Sequence, residues 1–234
     1  MPKTDPRNTG SYTIHEASRY LLVPAATLRS WTLGRKYPTS SGPRLFAPPV
    51  QIADKDNGLL SFLNLVEVHV LSSLTQTHGV PFRNIRRGLD TLVRLEKFSP
   101  SQHPLANRRF ITDGRNLLIE ELGGLVNLTE DGQLEMRKTI DAYLSRVGWG
   151  EDDYAVELYP YTTREHTGDQ PRSIVMNPRI SFGRPVLVGT GIATEVVAER
   201  YKAGESMQDL AKDYGRPDID IQEAIRCELY RETG

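Results

Sequence analysis

A pair of short amphipathic helices is predicted near the start of the chain. Residues 13–16 read Thr-x-x-Glu, the pattern of a capping box, in which a hydroxyl and a carboxylate satisfy free N–H groups at a helix start. The segment Leu21–Val23 ends the first helix, and Pro24 suits the first turn of a second one. On that second helix Leu28 and Trp31 lie three residues apart and face the core. Two short helices with a tight turn are typical of a helix-turn-helix, and also of an ordinary αα-hairpin.

A hairpin and two longer helices are predicted to follow. Residues 38–60 are rich in Pro, Ser, Gly and Asp, and Asn57-Gly58 is a strong hairpin signal, so we expect a wing closed by a turn there. The spacing of apolar residues predicts one helix over 61–78, capped by Ser61, and another over 82–98. Four arginines of the latter helix lie away from its apolar stripe and face either phosphate or only solvent: Arg83, Arg86, Arg87 and Arg94.

The middle of the chain is predicted to hold a hairpin, a helix and a linker. Asp113-Gly114 separates two runs of β-type residues, 110–112 and 116–120, which indicates a hairpin. A helix is expected over 134–147. The three charges of Glu151-Asp152-Asp153 then indicate a solvated linker and not a carboxylate site.

Two extended runs and three short helices are predicted at the end of the chain. The extended runs are 174–180 and 183–192, and helices are expected over 194–203, 206–214 and 219–231. Gly189-Thr190-Gly191 lacks the third glycine of a dinucleotide fingerprint and the lysine of a P-loop, so no phosphate loop is predicted. Carboxylates on the last helix are expected to give it a surface that repels phosphate: Asp218, Asp220, Glu223 and Glu228.

These elements together predict a mainly α chain with small β-hairpins, divided into three regions. We expect a winged helix-turn-helix with its following helices over residues 10–98. A connecting region with a hairpin and a helix is expected over 99–162. An extended segment and a tri-helical, helix-turn-helix-like unit are expected over 163–234.

Charge is distributed unevenly between the two halves of the chain. Residues 1–110 hold 15 Lys+Arg and 7 Asp+Glu, a balance of +8, whereas residues 111–234 hold 14 and 23, a balance of −9; the two sum to −1. A basic front suits phosphate, because counterion release supplies most non-specific affinity for nucleic acid. The acidic rear is expected to meet a protein. Alternatively, these charges are solvated faces without any partner.

Composition restricts the class of protein further. Hydrophobic content of 38% and charged content of 25% are typical of soluble globular proteins, and no apolar run approaches the roughly 18 residues of a membrane span. We therefore expect no membrane partner and a cytoplasmic location, on the nucleoid when DNA is bound. The single Cys227 excludes an internal disulfide and a multi-cysteine metal site. No nucleophile has a base at recognisable spacing, so neither an enzyme nor a cofactor is predicted.

Residues 27–34 resemble a family signature. They read Thr-Leu-Arg-Ser-Trp-Thr-Leu-Gly, similar to the second-helix pattern Thr-Leu-Arg-aromatic-aromatic-x-x-Gly of the MerR family, with Ser30 replacing the first aromatic. Arg44-Leu45-Phe46 resembles that family's wing. The resemblance covers about residues 10–95 and implies a MerR-like winged helix-turn-helix, with a longer insertion between Phe46 and Ser61 as a departure.

A second resemblance covers the rear of the chain. Residues 177–192 match Asn-Pro-x-Ile-x-x-Gly-x-Pro-x-x-x-Gly-Thr-Gly-Ile, the hallmark of a bacterial domain of formerly unknown function that precedes a tri-helical unit. With the MerR-like front, the whole chain is similar to long VapB-type antitoxins. That resemblance implies a PIN-like ribonuclease toxin as partner, which the chain inhibits, and repression of the operon that the two proteins share.

The resemblance assigns roles to particular residues. The front half is expected to bind double-stranded operator DNA as a homodimer, with Thr27, Arg29 and Ser30 at the major groove edge. Contacts to phosphate or to the minor groove are assigned to Trp31, Arg35, Lys36, Tyr37 and Arg44. Charge complementarity, and not the resemblance, indicates Arg179 or Arg184 for toxin binding, because either could pair with the carboxylates that hold a divalent metal in the toxin.

The alternative function is that of a stand-alone MerR-like transcriptional regulator that responds to a small ligand bound in the middle region. The sequence shows neither a metal-thiolate cluster nor an evident aromatic cage for such a ligand. An adjacent gene for a small nuclease with an acidic site would distinguish the two hypotheses.

Overall fold

The predicted fold class is confirmed. The computed structural model describes residues 5–38, 42, 44–46, 48–76, 80–94, 103–110, 114–163 and 170–229. Over these ranges the chain is mainly helical, with three two-stranded antiparallel sheets, and no described helix is long and apolar enough to cross a membrane. The helices are α1 (Ile14–Leu21), α2 (Ala25–Leu33), α3 (Phe62–Gln76), α4 (Phe82–Arg94), α5 (Arg115–Val126), α6 (Glu130–Leu144), α7 (Thr194–Lys202), α8 (Met207–Tyr214) and α9 (Asp218–Leu229). The strands are β1 (Arg35–Tyr37), β2 (Arg44–Phe46), β3 (Val147–Trp149), β4 (Ala155–Leu158), β5 (Ile174–Val175) and β6 (Val186–Leu187).

Helix α1 begins with the predicted capping box. The backbone N–H of Glu16 donates to the Thr13 hydroxyl at 3.2 Å, and the backbone N–H of Thr13 donates to the Glu16 carboxylate at 2.9 Å. Both bonds satisfy N–H groups that lack a partner within the helix. The opposite face of α1 is buried and includes Ala17 and Leu21. Because the cap sets the first residue of the helix, it also sets which residues lie on that buried face.

Helix α3 is the central helix of the fold. Residues 62–74 are all buried, because the helix packs against α1, α4 and α6. Ser61 caps it as predicted, since its hydroxyl accepts from the Asn64 backbone N–H at 3.2 Å. The ring of His69 lies 3.0 Å from the Tyr143 carbonyl oxygen of α6. This histidine therefore joins two core helices.

The wing contains the predicted Arg44–Phe46 as strand β2, but its partner β1 precedes residues 38–60 and Asn57-Gly58 does not close it. Strands β1 and β2 pair so that Arg35 lies opposite Phe46 and Tyr37 opposite Arg44. The Asn57-Gly58 turn instead closes a short loop bridged at Asp54 and Leu59, in which the Asp54 carboxylate accepts from the Asn57 backbone N–H at 3.0 Å. The Asn57-Gly58 pair that indicated a hairpin therefore belongs to this Asx turn and not to the wing.

The hairpin predicted around Asp113-Gly114 is wrong, because residues 115–126 form helix α5. Leu118 and Leu122 are four residues apart and fully buried, which is the spacing of a helix face against α4 and α6. Gly88 of α4 permits this packing, since a Cβ there would lie 2.8 Å from the Leu118 side chain.

The linker predicted at residues 151–153 is wrong as well. These residues form the turn between β3 and β4, whose register pairs Val147 with Leu158, both buried. The preceding helix α6 starts at Glu130 with Thr129 as its cap, earlier than the predicted start at residue 134. The Asp152 carboxylate accepts from the Arg7 guanidinium at 3.0 Å, so this turn holds the N-terminal segment.

Arg146, at the end of α6, ties the middle of the chain to its rear. The side chain is buried, its guanidinium lies 4.1 Å from the Tyr161 ring centroid, and burial lowers its pKa. It donates hydrogen bonds to four backbone carbonyl oxygens, those of Tyr159, Pro160, Gln170 and Pro171. Carbonyl groups before and after residues 161–169 are therefore held by one side chain.

The rear unit contains the three helices in the predicted order. Ser206 caps α8 by accepting from the Asp209 backbone N–H at 3.1 Å, and Gly215 ends that helix in the left-handed region with φ +61°. Helix α9 packs against α7, α8 and α1. The strand pair β5–β6 contacts α9.

Candidate nucleic-acid interface

The turn between α1 and α2 is held by one serine. Leu22 adopts a left-handed backbone conformation, φ 55°, which reverses the chain. The hydroxyl of Ser18 donates to the Val23 carbonyl oxygen at 2.7 Å, and the Val23 N–H donates to the Ser18 carbonyl oxygen at 3.2 Å. Since both partners of the turn are buried, the direction of α2 relative to α1 is fixed.

The buried face of α2 is formed by Leu28, Trp31 and Thr32. The Trp31 ring stacks on Phe82 of α4, with ring centroids 5.4 Å apart and an angle of 12° between the planes. The prediction that Trp31 faces the core is confirmed. Its assignment to phosphate or the minor groove is wrong, because only 5% of the residue is exposed. Trp31 instead positions the helix.

The other residues assigned to DNA on this helix lie away from the core. Arg29 is exposed, and Thr27 and Ser30 are half-buried. Just after α2, Gly34 has φ +77° and leads into β1, where Arg35 and Lys36 are exposed. The structure therefore presents Arg29, Arg35 and Lys36 to solvent along one helix and the strand that follows it.

Tyr37 and Arg44 face each other across the wing. They are directly paired residues of β1 and β2, and their side chains lie outside the described part of the structure. The segment after the wing is fixed to the helix pair, because the Val50 N–H donates to the Trp31 carbonyl oxygen at 3.1 Å. It is also fixed to α3, where the Asn64 amide donates to the Gln51 carbonyl oxygen at 2.9 Å.

Helix α4 adds further cations beside α2. The Trp31–Phe82 stack places the first turn of α4 against α2. Arg83 and Arg87 are exposed on α4. Arg86 is half-buried and lies 4.0 Å from Asp90. The predicted fourth arginine, Arg94, belongs to α4, but its side chain is outside the described residues.

Ion pairing distinguishes the cations on and directly after α2 from those of the rear unit. Among the described residues, no carboxylate lies within salt-bridge distance of Arg29, Arg35 or Lys36. In the rear unit, by contrast, carboxylates neutralise cation after cation: Arg184 by Glu195, Arg200 by Glu205 and Asp213, Lys202 by Glu199, Arg216 by Asp220 and Arg226 by Glu223. The unpaired cations of the front keep their full attraction for phosphate.

The expected acidic surface of α9 is largely wrong. Asp220 and Glu223 are buried, and the Glu228 side chain is only 6% exposed. The carboxylates accept hydrogen bonds from distant hydroxyls: Ser173 to Asp220, Thr162 to Glu223 and Thr194 to Glu228. Glu228 also pairs with Arg19 of α1 at 2.9 Å. Of the four predicted surface carboxylates only Asp218 is exposed, so the others join α9 to the rest of the protein.

The two arginines assigned to toxin binding lie on either side of one turn. Arg179 is exposed, and its backbone N–H donates to the Asn177 side chain at 2.9 Å. The Arg184 side chain is 59% exposed and pairs with Glu195 at the start of α7. The 3₁₀ turn Ser181–Gly183 lies between them.

One buried contact between a histidine and a carboxylate has no signal in the sequence. The His103 ring lies 2.9 Å from the Glu67 carboxylate, and the Asn64 amide donates to the same oxygen at 3.2 Å. Burial raises the pKa of the Glu67 carboxyl, while the hydrogen bond with His103 opposes that rise. The partners are 36 residues apart, so no spacing rule joins them. Over the described ranges, His, Cys, Asp and Glu form no group of three that could hold a metal ion.

Comparison with known protein families defines the class of this fold. Residues 10–89 match a family model described as "Putative DNA-binding HTH domain", so the front of the chain is a helix-turn-helix domain of DNA-binding type. Residues 174–226 match a model described as "Protein of unknown function (DUF433)".

Two proteins of Mycobacterium tuberculosis (strain ATCC 25618 / H37Rv) are similar over nearly the whole chain. "Putative antitoxin VapB45" is 30% identical over 233 residues, 92% of this chain and 92% of that protein. "Uncharacterized protein Rv2308" is 25% identical over 225 residues, 92% of this chain and 88% of that protein. This chain therefore belongs to the VapB45 family of long VapB-type antitoxins.

A solved structure shares the fold. The X-ray crystal structure of Rv2018 from Mycobacterium tuberculosis aligns with a TM-score of 0.64 at 24% sequence identity, over 93% of this chain and 98% of that chain. The likeness extends over the front and the rear of the chain alike, so the helix-turn-helix and the rear unit occur together in both proteins.

Proposed function

We propose that this chain is the DNA-binding antitoxin of a type II toxin-antitoxin module. It neutralises a PIN-like ribonuclease toxin by direct binding and represses the operon that encodes both proteins. The observation that carries the proposal is the row of cations on and after α2, which have no carboxylate partner among the described residues, in a helix-turn-helix domain within a chain of the VapB45 family. The protein acts in the cytoplasm and on the nucleoid.

In the DNA complex α2 is the recognition helix. Arg29 is the residue best suited to a guanine edge, because a guanidinium donates two hydrogen bonds to O6 and N7. Thr27 and Ser30 flank it and offer hydroxyls to base edges or phosphate. Arg35, Lys36 and the wing residue Arg44 neutralise phosphate on either side, and the Tyr37 hydroxyl donates a hydrogen bond to phosphate. A homodimer repeats these contacts in two half-sites of a palindromic operator.

In the toxin complex the rear unit meets an acidic active site. Arg179 is exposed and available to a carboxylate without any rearrangement, whereas Arg184 would exchange its Glu195 partner for one on the toxin. An arginine that pairs with metal-holding carboxylates competes with the divalent ion for them. Inhibition would thus follow from charge replacement in the site.

The test of both halves uses the full chain. Co-purification with the product of the adjacent reading frame, followed by an RNA cleavage assay with added Mg²⁺, measures neutralisation. A gel-shift assay on the DNA upstream of the gene, with a scrambled duplex as control, measures operator binding. The proposal expects a stoichiometric complex without nuclease activity and preference for the upstream DNA. A chain that binds neither partner contradicts it.

A ligand-responsive regulator would behave differently in the same experiments. It would bind the upstream DNA and leave any neighbouring nuclease active. Neutralisation of the nuclease therefore distinguishes the two functions, because an antitoxin must neutralise it and a stand-alone regulator does not.

A further inference from the structure

Phe182 is the most exposed large hydrophobic residue of the described chain. It is 94% exposed, whereas the next such residue, Val196, is 50% exposed. A phenyl ring exposed to water gains almost none of the free energy that burial gives to aromatic residues in folded proteins. A single exposed apolar residue is ordinary, but one presented this fully requires a backbone that holds it out.

The backbone at this turn provides such support. Ser181 and Phe182 have φ values of 47° and 55°, two consecutive left-handed residues that both carry a Cβ. This conformation is unfavourable for residues other than glycine, so other contacts must fix it. The Gly183 N–H donates to the Ile180 carbonyl oxygen at 2.9 Å, and the Arg184 N–H donates to that of Ser181 at 3.1 Å.

The turn is also held from outside. The Tyr12 hydroxyl donates to the Gly183 carbonyl oxygen at 2.8 Å, and a Cβ at Gly183 would lie 2.1 Å from that hydroxyl oxygen. Tyr12 itself is buried. The phenyl ring is therefore presented by a fixed backbone, and binding it costs little conformational entropy, as is typical of preorganised interface anchors.

The residues around this ring indicate what kind of partner receives it. Arg179 and Arg184 stand on the two sides of the turn with exposed side chains. An aromatic residue between arginines is the composition of protein–protein hot spots, in which the ring fills a pocket and the guanidinium groups pair with carboxylates around it. The exposed Glu195 carboxylate beside Arg184 opposes phosphate and carboxylate alike. The apolar ring therefore distinguishes the partners, because it fits a pocket on a protein and has no counterpart on a phosphate backbone.

We propose that Phe182 is the central anchor of the toxin-binding surface. It inserts into an apolar pocket next to the carboxylates of the PIN-like ribonuclease, while Arg179 and Arg184 pair with acidic groups at the rim. This inference rests on the proposed function and adds to it the residue that supplies most of the contact. The turn Ser181–Gly183, and not the helices of the rear unit, is then the centre of the interface.

The experiment measures the affinity of the full chain for the purified ribonuclease of the adjacent reading frame by titration calorimetry. Phe182→Ala is expected to weaken binding about 30-fold or more, the loss typical of a hot-spot residue. Leu134→Ala is the matched control, because Leu134 is an exposed hydrophobic residue of α6 outside the turn, and its affinity should equal that of the wild type. Both variants should melt at the wild-type temperature, since neither side chain is buried.

The outcomes separate this inference from the proposed function. If the wild-type chain does not bind the ribonuclease, the proposed function is wrong and the inference is wrong with it. If the wild type binds and Phe182→Ala binds equally well, only the inference is wrong. The inference is also overturned if Phe182→Ala loses DNA binding or self-association in sedimentation experiments while its affinity for the ribonuclease is retained.

Discussion

The hydroxyl of Tyr12 donates a 2.8 Å hydrogen bond to the carbonyl oxygen of Gly183, 171 residues away. Tyr12 immediately precedes the cap of α1, and Gly183 ends the turn that carries Phe182. The helix-turn-helix and the rear unit therefore share a buried contact. The ion pair between Arg19 of α1 and Glu228 of α9, at 2.9 Å, joins the same two parts a second time.

Substitution of Gly183 tests this contact. Gly183→Ala combines a left-handed backbone, φ +83°, with a Cβ only 2.1 Å from the Tyr12 hydroxyl oxygen, so we expect a loss of about 2–4 kcal/mol in the free energy of unfolding. Gly189→Ala is the matched control, because Gly189 has a similar φ of +73° with open space around it. Its expected loss is about 1 kcal/mol. The free energy of unfolding is measured in urea for both variants. Equal losses would show that the close approach of the Cβ to the Tyr12 hydroxyl has no effect on stability.

Truncation of Trp31 tests how α2 is positioned. Because Trp31 is buried and stacked on Phe82, Trp31→Ala is expected to cost about 3–5 kcal/mol of stability, and to weaken DNA binding without removing any phosphate contact. Leu33→Ala, a change at an exposed residue of the same helix, should cost less than about 0.5 kcal/mol. Thermal unfolding followed by circular dichroism measures the stability of both variants. A Trp31 variant as stable as the wild type would contradict the stacking role.

Arg146 provides a test of the connection between the middle and the rear. Arg146→Met leaves four carbonyl oxygens without their guanidinium donor, so we expect a loss of about 2–4 kcal/mol. The control is Arg172→Met, since Arg172 is exposed and lies 6.0 Å from the Tyr159 ring centroid. That change should alter stability by less than about 0.5 kcal/mol. The measurement is urea unfolding, and equal effects of the two substitutions would refute the role of Arg146.

The buried Cys227 predicts how stability depends on alkaline pH. Burial, and secondarily the Glu228 carboxylate, raises the pKa of its thiol far above the ordinary value of 9.0. Below pH 9 the folded and unfolded chains both keep the thiol proton, so the thiol does not affect the pH dependence. Above pH 9 only the unfolded chain releases it, and the free energy of unfolding falls by up to about 1.4 kcal/mol per pH unit.

Cys227→Ala should remove this part of the alkaline slope. The comparison is made between pH 9 and pH 10, because the buried Tyr12 and Tyr20 also have raised pKa values and their contribution grows as the pH approaches and passes 10.0. Iodoacetamide should label the native thiol only after unfolding, since it reacts with the thiolate. An unchanged slope in the alanine variant, or rapid labelling of the native chain, would contradict burial of a neutral thiol.

Much of the fold could be predicted because its signals are local. The Thr13–Glu16 capping box, the core face of α2 and the three rear helices follow from spacing and caps within a few residues. Helix α5 was missed because three consecutive apolar residues, 117–119, are compatible with a strand until the fourth-residue repeat to Leu122 is weighed.

The candidate sites were predicted less completely, because they depend on partners far apart in sequence. From the sequence alone, the carboxylates of α9 are predicted to lie on the surface. In the structure they interact with Ser173, Thr162 and Arg19. Likewise, the sequence shows Arg29, Arg35 and Lys36 but does not show which cations of the chain pair with carboxylates. Phe182 carried no signal, since its exposure depends on a turn held by Tyr12.

The most direct test of the account is the salt dependence of DNA binding by the full chain. The logarithm of the association constant for upstream duplex DNA is measured against the logarithm of salt concentration, for the wild type and for the triple variant Arg29→Ala, Arg35→Ala and Lys36→Ala. Lys212→Ala, an exposed cation of α8, is the control. The account predicts that the triple variant reduces the slope by about 1.8 per bound protomer, because Arg35 and Lys36 each neutralise one phosphate, and that it lowers the affinity further through the loss of Arg29; the control leaves the slope unchanged. A triple variant with the wild-type slope and affinity would contradict the claim that these cations bind DNA.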